Sequence, residues 1–452
     1  DCSGGKRRNE AMVELPVEKI RFELGQAIEE KQVVVVSGGT GSGKSTQLPQ
    51  FLLDDWRKGV KGEVIEPPRI VVTQPRRLAA VSIAERVAWE RGEKPGKSIG
   101  YSVRGSSVRP NANGSGTVEF VTTGTLLRRA IDDPLLTQCN LVIMDEVHER
   151  DLMADFLLIL LREVLPERRD MRLVLMSATL DVDTFTRYFG ECPVLGVPST
   201  PRFPVQEVHL NDEFFSDMDQ AQQLLESEAD GRNDTMRWLA DGATDVDAYK
   251  KDNQLTWWGN EAGDTTFLDL MEDTILRLVP EIVEAVDDKG GPKGAILCFL
   301  PGWAEIRKLN DRLCEGPEAE RIWAVPLHSI LPKEQQQKVF QRGPAGKVKV
   351  ILGTNIAESS VTVSDVTVVL DSGLQREQTF DARRRMSFLN TVWVSRSNAI
   401  QRRGRAGRVR EGRVFRFFSR QQMEAMPLRP APQMQRCDLA QSCLQALALG
   451  RD

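Results

Sequence analysis

Short runs of β-branched and apolar residues alternate with helical patterns along most of the chain. This alternation predicts parallel α/β sheets, because parallel strands need crossover connections that helices usually provide. The strands predicted in the first half are Val33–Val36, Ile70–Thr73, Thr117–Val121, Leu141–Met144 and Leu173–Met176. The strands predicted in the second half are Ile296–Leu300, Trp323–Leu327, Val348–Leu352, Val366–Leu370 and Val414–Phe418.

The two halves are separated by a segment, residues 211–273, with little strand pattern. It contains 17 acidic and only 4 basic residues. We interpret it as an insertion that is partly helical and partly mobile. A solvated linker is the simpler interpretation, while its tryptophans leave a protein-binding surface open as the alternative. Those tryptophans are Trp238, Trp257 and Trp258.

These patterns divide the chain into four predicted parts. A first α/β domain covers residues 1–208, the acidic insertion covers 209–275, and a second α/β domain covers 276–425. A proline-rich step after the second domain leads into a predicted helix, Cys437–Leu449. We expect residues 426–452 to begin a third, helical or winged-helix domain, and the start at Asp1 suggests a fragment or processed product.

The composition is that of an ordinary globular protein, with 40% hydrophobic and 28% charged residues among 452. No apolar run approaches the roughly 18 residues that would span a bilayer. The seven cysteines form no Cys-x-x-Cys pair, so neither a zinc knuckle nor a disulfide framework is indicated. We expect a reducing, intracellular compartment and no membrane partner.

The net charge of −5 conceals an uneven distribution. Without residues 211–273 the chain carries a net charge of +8, and eleven arginines lie between Arg376 and Arg413. Arginines interleaved with glycines and strand-forming residues favour contact with phosphates over a merely solvated surface.

The most specific local motif is GGTGSGKS at Gly38–Ser45, which follows an apolar strand and precedes a predicted helix, Thr46–Leu53. It matches the phosphate-binding loop G-x-x-x-x-G-K-[ST] in full. The loop backbone would point its N–H groups at phosphate oxygens, Lys44 would reach the β- and γ-phosphates, and Ser45 could ligate Mg²⁺.

An acidic pair, Asp145 and Glu146, follows another apolar strand within the sequence DEVHER. Beside a phosphate loop, an aspartate in this place can hold Mg²⁺ and the neighbouring glutamate can orient a water as general base. A third motif, QRRGRAGR at 401–408, supplies cations. Arginines three apart on a helix share one face, so Arg402, Arg405 and Arg408 project together, and an arginine finger could come from this stripe if it faces the nucleotide across a cleft.

Together these motifs resemble the DEAH/RNA helicase A family of superfamily 2 helicases. The matching segments follow the family's order along nearly the whole chain. They are GGTGSGKST (38–46), TQPRR (73–77), TTGTLLRR (122–129), DEVHER (145–150), SAT (177–179), FLPGW (299–303), GTNIAESSVT (353–362) and QRRGRAGR (401–408).

The resemblance implies two tandem RecA-like domains with parallel sheets, ATP bound between them and RNA lying across both. It implies roles for individual nucleotide-site residues. The phosphate-binding residues would be Gly38, Gly39, Thr40, Gly41, Ser42, Gly43, Lys44, Ser45 and Thr46. The catalytic residues would be Lys44, Asp145, Glu146, Gln401, Arg405 and Arg408, with Mg²⁺ on Ser45 and Asp145. The base would stack between Arg86 and Phe340, and since no glutamine motif precedes the loop, other NTPs could replace ATP.

The resemblance also implies a coupling path and an RNA path. Coupling between hydrolysis and movement would involve His148, Ser177 and Thr179. RNA would be contacted by Arg76, Arg77, Thr122, Thr123 and Thr354, and residues 376–394 would form a strand-separating hairpin. By resemblance, movement would run 3′ to 5′.

The sequence departs from the family pattern at two places. Ser364 stands where the family usually has an aspartate that can contact the ribose, and Asp365 is adjacent. Gly105 and Ser106 follow YSVR, where the family commonly has a bulky residue and an acid.

The interpretation favoured by the motifs is an ATP-dependent RNA helicase or translocase. The alternative is an ATP-gated RNA-binding or scaffold module in a large ribonucleoprotein, and a DNA-translocating enzyme is a weaker third option.

Overall fold

The computed structural model describes residues 15–39, 41–56, 67–111, 116–178, 182–198, 203–229, 266–285, 294–359, 363, 365–408 and 410–448. It divides into two compact units. The first contains the described residues up to 200 together with those from Ala431 onwards, and the second contains the described residues from 201 to Pro430. The expectation of two α/β domains is therefore confirmed.

The first unit is built on a sheet of eight strands within the described residues. They are β1 (Val33–Ser37), β2 (Arg69–Gln74), β3 (Ile99–Val103), β4 (Ser106–Val108), β5 (Thr117–Thr122), β6 (Leu141–Met144), β7 (Arg172–Ser177) and β8 (Val194–Gly196). The order across the sheet is β4-β3-β5-β2-β6-β7-β1-β8, and pairing is parallel except between β3 and β4.

Helices cover the first unit's sheet on both faces. They are α1 (Arg21–Glu30), α2 (Lys44–Asp55), α3 (Arg77–Glu90), α4 (Thr123–Asp132), α5 (Leu152–Val164) and α6 (Val182–Phe189). The strands β1 and β6 are buried along their whole length, which explains their continuous apolar runs. Because β6, β7 and β1 are parallel neighbours, the segments that follow them meet at one edge of the sheet.

The second unit contains a parallel sheet of six strands within the described residues. They are β9 (Val205–His209), β10 (Ala295–Phe299), β11 (Ile322–Leu327), β12 (Val348–Gly353), β13 (Val366–Asp371) and β16 (Gly412–Arg416), in the order β11-β12-β10-β13-β16-β9. An antiparallel hairpin, β14 (Leu374–Asp381) with β15 (Met386–Trp393), lies where a hairpin was expected.

Helices of the second unit pack on this sheet, and one further helix lies beyond it in sequence. Those of the second unit are α7 (Asp219–Ala229), α8 (Thr266–Glu284), α9 (Trp303–Glu315), α10 (Lys333–Gln336), α11 (Ile356–Ser359), α12 (Arg396–Arg403) and α13 (Arg420–Ala425); the helix beyond is α14 (Ala440–Ala448). None of the helices in the described ranges is long and apolar enough to cross a membrane.

The boundary between the units lies earlier than residue 208. Strand β9 pairs in parallel with β16, from Val205 opposite Gly412 to His209 opposite Arg416, so it is an edge strand of the second sheet. Because β9 has only five residues, its sequence does not reveal which sheet it joins.

The interpretation of residues 211–273 as a linker insertion was wrong for the parts that the structure describes. Phe215, Leu224 and Met271 are buried and contribute to the same hydrophobic core as the second sheet. Among the acidic residues here, Asp217 and Asp219 are exposed, and Asp269 and Glu272 pair with Arg312. The tryptophans and the proposed protein-binding surface fall in 230–265, outside the described residues.

The C-terminal segment packs on the first unit. Gln433 donates its backbone N–H to the carbonyl of Arg150 (3.0 Å), and its side-chain oxygen accepts from the N–H of Leu152 (3.0 Å). The observed helix begins at Ala440 rather than Cys437. A third domain beginning at 426 remains a prediction.

A buried ion network occupies the centre of the second unit. The guanidinium of Arg402 is fully buried and donates to Asp371 (2.7 Å), Glu358 (3.2 Å) and the carbonyl of Leu374 (3.2 Å). The equally buried Arg416 donates to the other oxygen of Asp371 (3.2 Å) and to Glu207 of β9 (2.9 Å). These contacts join β9, β13, β16, α11 and α12.

The network corrects the expected stripe of Arg402, Arg405 and Arg408. Helix α12 ends at Arg403, so the three residues do not lie on one helical face. Arg402 points into the core of its own unit, where two carboxylates keep its pKa raised against the opposing effect of burial.

We predict that Arg402→Met destabilises the second unit by about 3–5 kcal/mol, because it leaves buried carboxylates without their cation. Urea unfolding measures the change. The matched control is Arg413→Met, which removes a more exposed pair with Glu281 and should cost less than about 1 kcal/mol. Equal stability of the two variants would contradict the prediction.

Candidate nucleotide and RNA site

The phosphate-binding loop connects β1 to α2. Gly43 lies at the N-cap of α2 with φ of +92°, a left-handed conformation that a side chain would strain. The helix that follows begins at Lys44, so its N-terminal N–H groups face the loop and favour an anion. The helix is two residues longer at each end than the predicted Thr46–Leu53.

Lys44 is buried at the base of this loop. Its ammonium donates to the carbonyls of Gly38 and Gly39 (2.9 Å for Gly39) and to the hydroxyl of Ser42 (3.1 Å). Burial lowers the pKa of Lys44, and the carboxylates of Glu146 and Asp145 act in the opposite direction. The ammonium of Lys44 in the loop therefore interacts electrostatically with the carboxylates of the acidic pair.

Asp145 is held at the end of β6 by donors from several segments. Gln74 donates to one carboxylate oxygen (2.7 Å), and the backbone N–H of Glu146 donates to the other (2.9 Å). Burial raises the pKa of Asp145, while hydrogen bonds from Ser45 and Gln74 lower it. The motif TQPRR contains Gln74, but the sequence does not reveal this contact.

Ser45 and Asp145 fit a Mg²⁺ ion. Their hydrogen bond shows that hydroxyl and carboxylate oxygens are adjacent at the helix N-terminus, and both are hard ligands. Within the described ranges no group of three or more His, Cys, Asp or Glu side chains is suited to a metal ion. Nucleotide phosphates and water would therefore supply the remaining ligands.

His148 connects the acidic pair to the segment after β7. Its Nδ1 accepts a hydrogen bond from the N–H of Ala178 (3.1 Å) and lies 3.5 Å from a carboxylate oxygen of Glu146. Glu146 has φ of +54°, an uncommon backbone conformation for a non-glycine residue. The neighbouring Ser177 accepts the N–H of Gly38 through its carbonyl (3.1 Å), which links this segment to the phosphate loop.

The RNA-contact candidates of the first unit follow two neighbouring strands. Arg76 and Arg77 follow β2, with Arg77 exposed, while Thr122 ends β5 and Thr123 begins α4. Thr123 donates from its hydroxyl to the carbonyl of Gln74 at 3.5 Å, so the two segments are adjacent. In the second unit, Thr354 follows β12 and is largely buried.

The base-stacking candidates are both exposed on their own units. Arg86 donates to Glu90 (2.6 Å), and its guanidinium lies 4.8 Å from the centre of the Trp89 ring. Glu90 also accepts from Gln47 of α2 (2.9 Å), which connects Arg86 to the helix after the phosphate loop. The ring of Phe340 is 43% exposed.

The second unit places Gln401 on α12 and Arg405 and Arg408 just after it. Gln401 and Arg405 are buried, and Arg408 is half-buried with its Nε donating to the carbonyl of Gly404 (3.4 Å). Thr40, Thr179 and Ser364 lie outside the described residues. At the other departure, Gly105 has φ of +86° in the tight turn between β3 and β4, which accounts for a glycine there.

Comparison with known families gives two matches on this chain. The model described as DEAD/DEAH box helicase matches residues 20–187, and the model described as helicase conserved C-terminal domain matches residues 275–410. The two matches fall on the first and second units respectively.

Curated relatives match over almost the whole chain. The Gallus gallus protein described as ATP-dependent RNA helicase DHX30 is 40% identical over 98% of this chain and 33% of its own length. DExH-box ATP-dependent RNA helicase DExH1 of Arabidopsis thaliana is 38% identical over 96% of this chain and 44% of its length. ATP-dependent DNA/RNA helicase DHX36 of Homo sapiens is 36% identical over 95% and 43%. The chain thus spans less than half the length of these relatives.

A solved structure supports the same assignment. The crystal structure of the Escherichia coli DEAH/RHA helicase HrpB aligns with a TM-score of 0.72 and 30% identity, covering 97% of this chain and 47% of that chain. The folds of both units and the order of their motifs agree with these matches, and the chain belongs to the DEAH/RNA helicase A family of superfamily 2 helicases.

Proposed function

We propose that the protein is an ATP-dependent RNA helicase or translocase that moves 3′ to 5′ and remodels RNA or ribonucleoproteins. The observation that supports this most directly is the cluster at one sheet edge of the first unit. There Lys44, Asp145, Glu146 and His148 connect the phosphate loop to the segment after β7.

In this proposal the first unit binds and hydrolyses the nucleotide. The loop N–H groups and Lys44 hold the phosphates, and Glu146 orients the attacking water and accepts its proton. A Mg²⁺ ion on Ser45 and Asp145, when bound, would neutralise charge on the β- and γ-phosphates. Phosphoryl transfer needs little covalent chemistry, so positioning and charge supply most of the rate enhancement.

The second unit would complete the site. Gln401 would help to position the water, and Arg405 and Arg408 would stabilise charge that develops on the transferred phosphoryl group. Arg86 and Phe340 would stack on the base of ATP or another NTP. This division of roles between the units would make hydrolysis depend on their arrangement.

RNA would lie along both units and contact Arg76, Arg77, Thr122, Thr123 and Thr354. The hairpin β14–β15 would separate strands. The relatives' printed names, ATP-dependent RNA helicase in two organisms, favour RNA as the substrate. The printed name DNA/RNA helicase of the human relative favours DNA as a second candidate. A reducing, intracellular compartment, a ribonucleoprotein setting and a protein partner also belong to the proposal.

We predict that Lys44→Ala and Glu146→Gln each lower RNA-stimulated ATP turnover by about a hundredfold or more, because each removes a group that acts on the phosphoryl transfer itself. Phosphate release measures turnover. Lys94→Ala and Glu167→Gln change exposed residues of the same unit and should leave turnover intact. Unchanged turnover in Lys44→Ala would refute the proposal.

An unwinding assay separates a helicase from an ATP-gated module. We expect ATP-dependent release of a strand from an RNA duplex with a 3′ single-stranded tail and little release from one with a 5′ tail. ATP turnover without strand release from either duplex would favour the gate or scaffold. Equal release from DNA duplexes would favour the broader substrate class.

We predict that His148→Ala uncouples hydrolysis from movement. The variant loses the acceptor for Ala178 N–H while the phosphate loop and Glu146 remain, so the number of base pairs opened per ATP should fall several-fold. Turnover and unwinding are measured on the same preparation. His148→Asn, which can retain an acceptor, should show a smaller loss. A proportional fall of both activities would show that His148 serves hydrolysis alone.

A further inference from the structure

Strand β12 has a charged residue inside an otherwise apolar, fully buried run. It reads Val-Lys-Val-Ile-Leu-Gly, and every position is buried. Lys349 is only 3% exposed. An ammonium in such a place costs several kcal/mol unless neighbouring groups neutralise it and accept its hydrogen bonds.

Three acceptors surround the Lys349 ammonium. It donates to the backbone carbonyls of Val339 (3.0 Å) and Gln341 (2.9 Å), and it lies 2.6 Å from a carboxylate oxygen of Asp365. An ammonium has three N–H groups, so these acceptors use all of its donors. Lys349 thus ties strand β12 to one segment before it and one after it.

The segment before β12 contains Phe340, whose two neighbours supply both carbonyls. The ring itself is 43% exposed. A large aromatic side chain is thereby presented to solvent on a backbone whose carbonyls are held on both sides.

The segment after β12 contains Asp365, which neighbours the departure at Ser364. One of its oxygens pairs with Lys349, and its carbonyl accepts the N–H of Ala295 at the start of β10 (2.8 Å). Asp365 is therefore the counterion of Lys349 in this sheet.

We infer that Lys349 is a positioning residue for the nucleotide base. It holds the backbone of Phe340 so that the ring forms one side of the base-stacking site, and Asp365 neutralises it there. This inference rests on the proposed function. Under this inference Lys349 affects the affinity for the nucleotide base and does not affect phosphoryl transfer.

The experiment compares ATP with inorganic tripolyphosphate, a competitor that lacks the base. Lys349→Met keeps the apolar stem and removes the donors. We expect Lys349→Met to raise the KM for ATP about tenfold, because one stacking contact with the base is lost. The kcat and the inhibition constant of tripolyphosphate should stay unchanged. Phe340→Ala should give the same pattern, and the combined variant Lys349→Met/Phe340→Ala should have a KM for ATP no higher than that of Phe340→Ala alone. Lys338→Met, exposed two residues before Phe340, is the matched control.

The Lys349→Met chain leaves Asp365 without its cation, so its folding is tested beside Lys349→Met/Asp365→Asn, which removes both charges. This second variant should fold and show the same base-specific rise in KM. An unchanged KM for ATP in folded Lys349→Met/Asp365→Asn would overturn the inference. Equal weakening of ATP binding and tripolyphosphate binding would overturn it as well. Failure of the wild-type chain to hydrolyse ATP would refute the proposed function and this inference with it, whereas normal wild-type hydrolysis with an unchanged variant refutes the inference alone.

Discussion

Buried cations must be neutralised. At Lys44 and Arg402 the neutralising groups come from segments distant in sequence, and at Lys349 they come from the segments just before and just after its strand. Leaving one partner of such a pair uncompensated costs about 3–5 kcal/mol. Each cation therefore prevents the segments around it from separating. In the first unit this links the phosphate loop to the acidic pair. In the second it links the motif at 401–408 to β13 and the segment after β12 to β12 itself.

The consequence is clearest in the second unit. Arg402 lies beside Gln401 in sequence, yet its partners are Glu358 after β12 and Asp371 at the end of β13. The segment with the RNA-contact candidate Thr354 and the segment with the nucleotide-site candidates Gln401 and Arg405 are thus joined through one side chain. A shared buried contact of this kind is the physical condition for two segments to move as one.

The sequence predicted the features that depend on local pattern. Strand periodicity located the sheets, and the glycine pattern with Lys44 located the phosphate loop, because both are written in consecutive residues. The assignment of Arg402 was wrong because a spacing of three implies a common face only while the helix continues, and α12 ends at Arg403. The partners of Arg402 lie 31 and 44 residues away along the chain, and Gln433 lies 281 residues from its partner Leu152. A single sequence gives no signal for pairs so far apart. Lys349 did leave a signal, a single charge in an apolar strand.

Stability alone does not explain these buried charges. Apolar side chains of similar volume often replace a buried ion pair without loss of stability. At position 349, however, an apolar side chain would leave the carbonyls beside Phe340 and the carboxylate of Asp365 without their donor, and each would favour a position nearer to water. The buried side chain of Val339 would still hold this segment, but the carbonyls on either side of Phe340 would no longer be tied to β12. Lys349 fixes these carbonyls relative to β12, so its charge is best understood as a constraint on the backbone that carries Phe340.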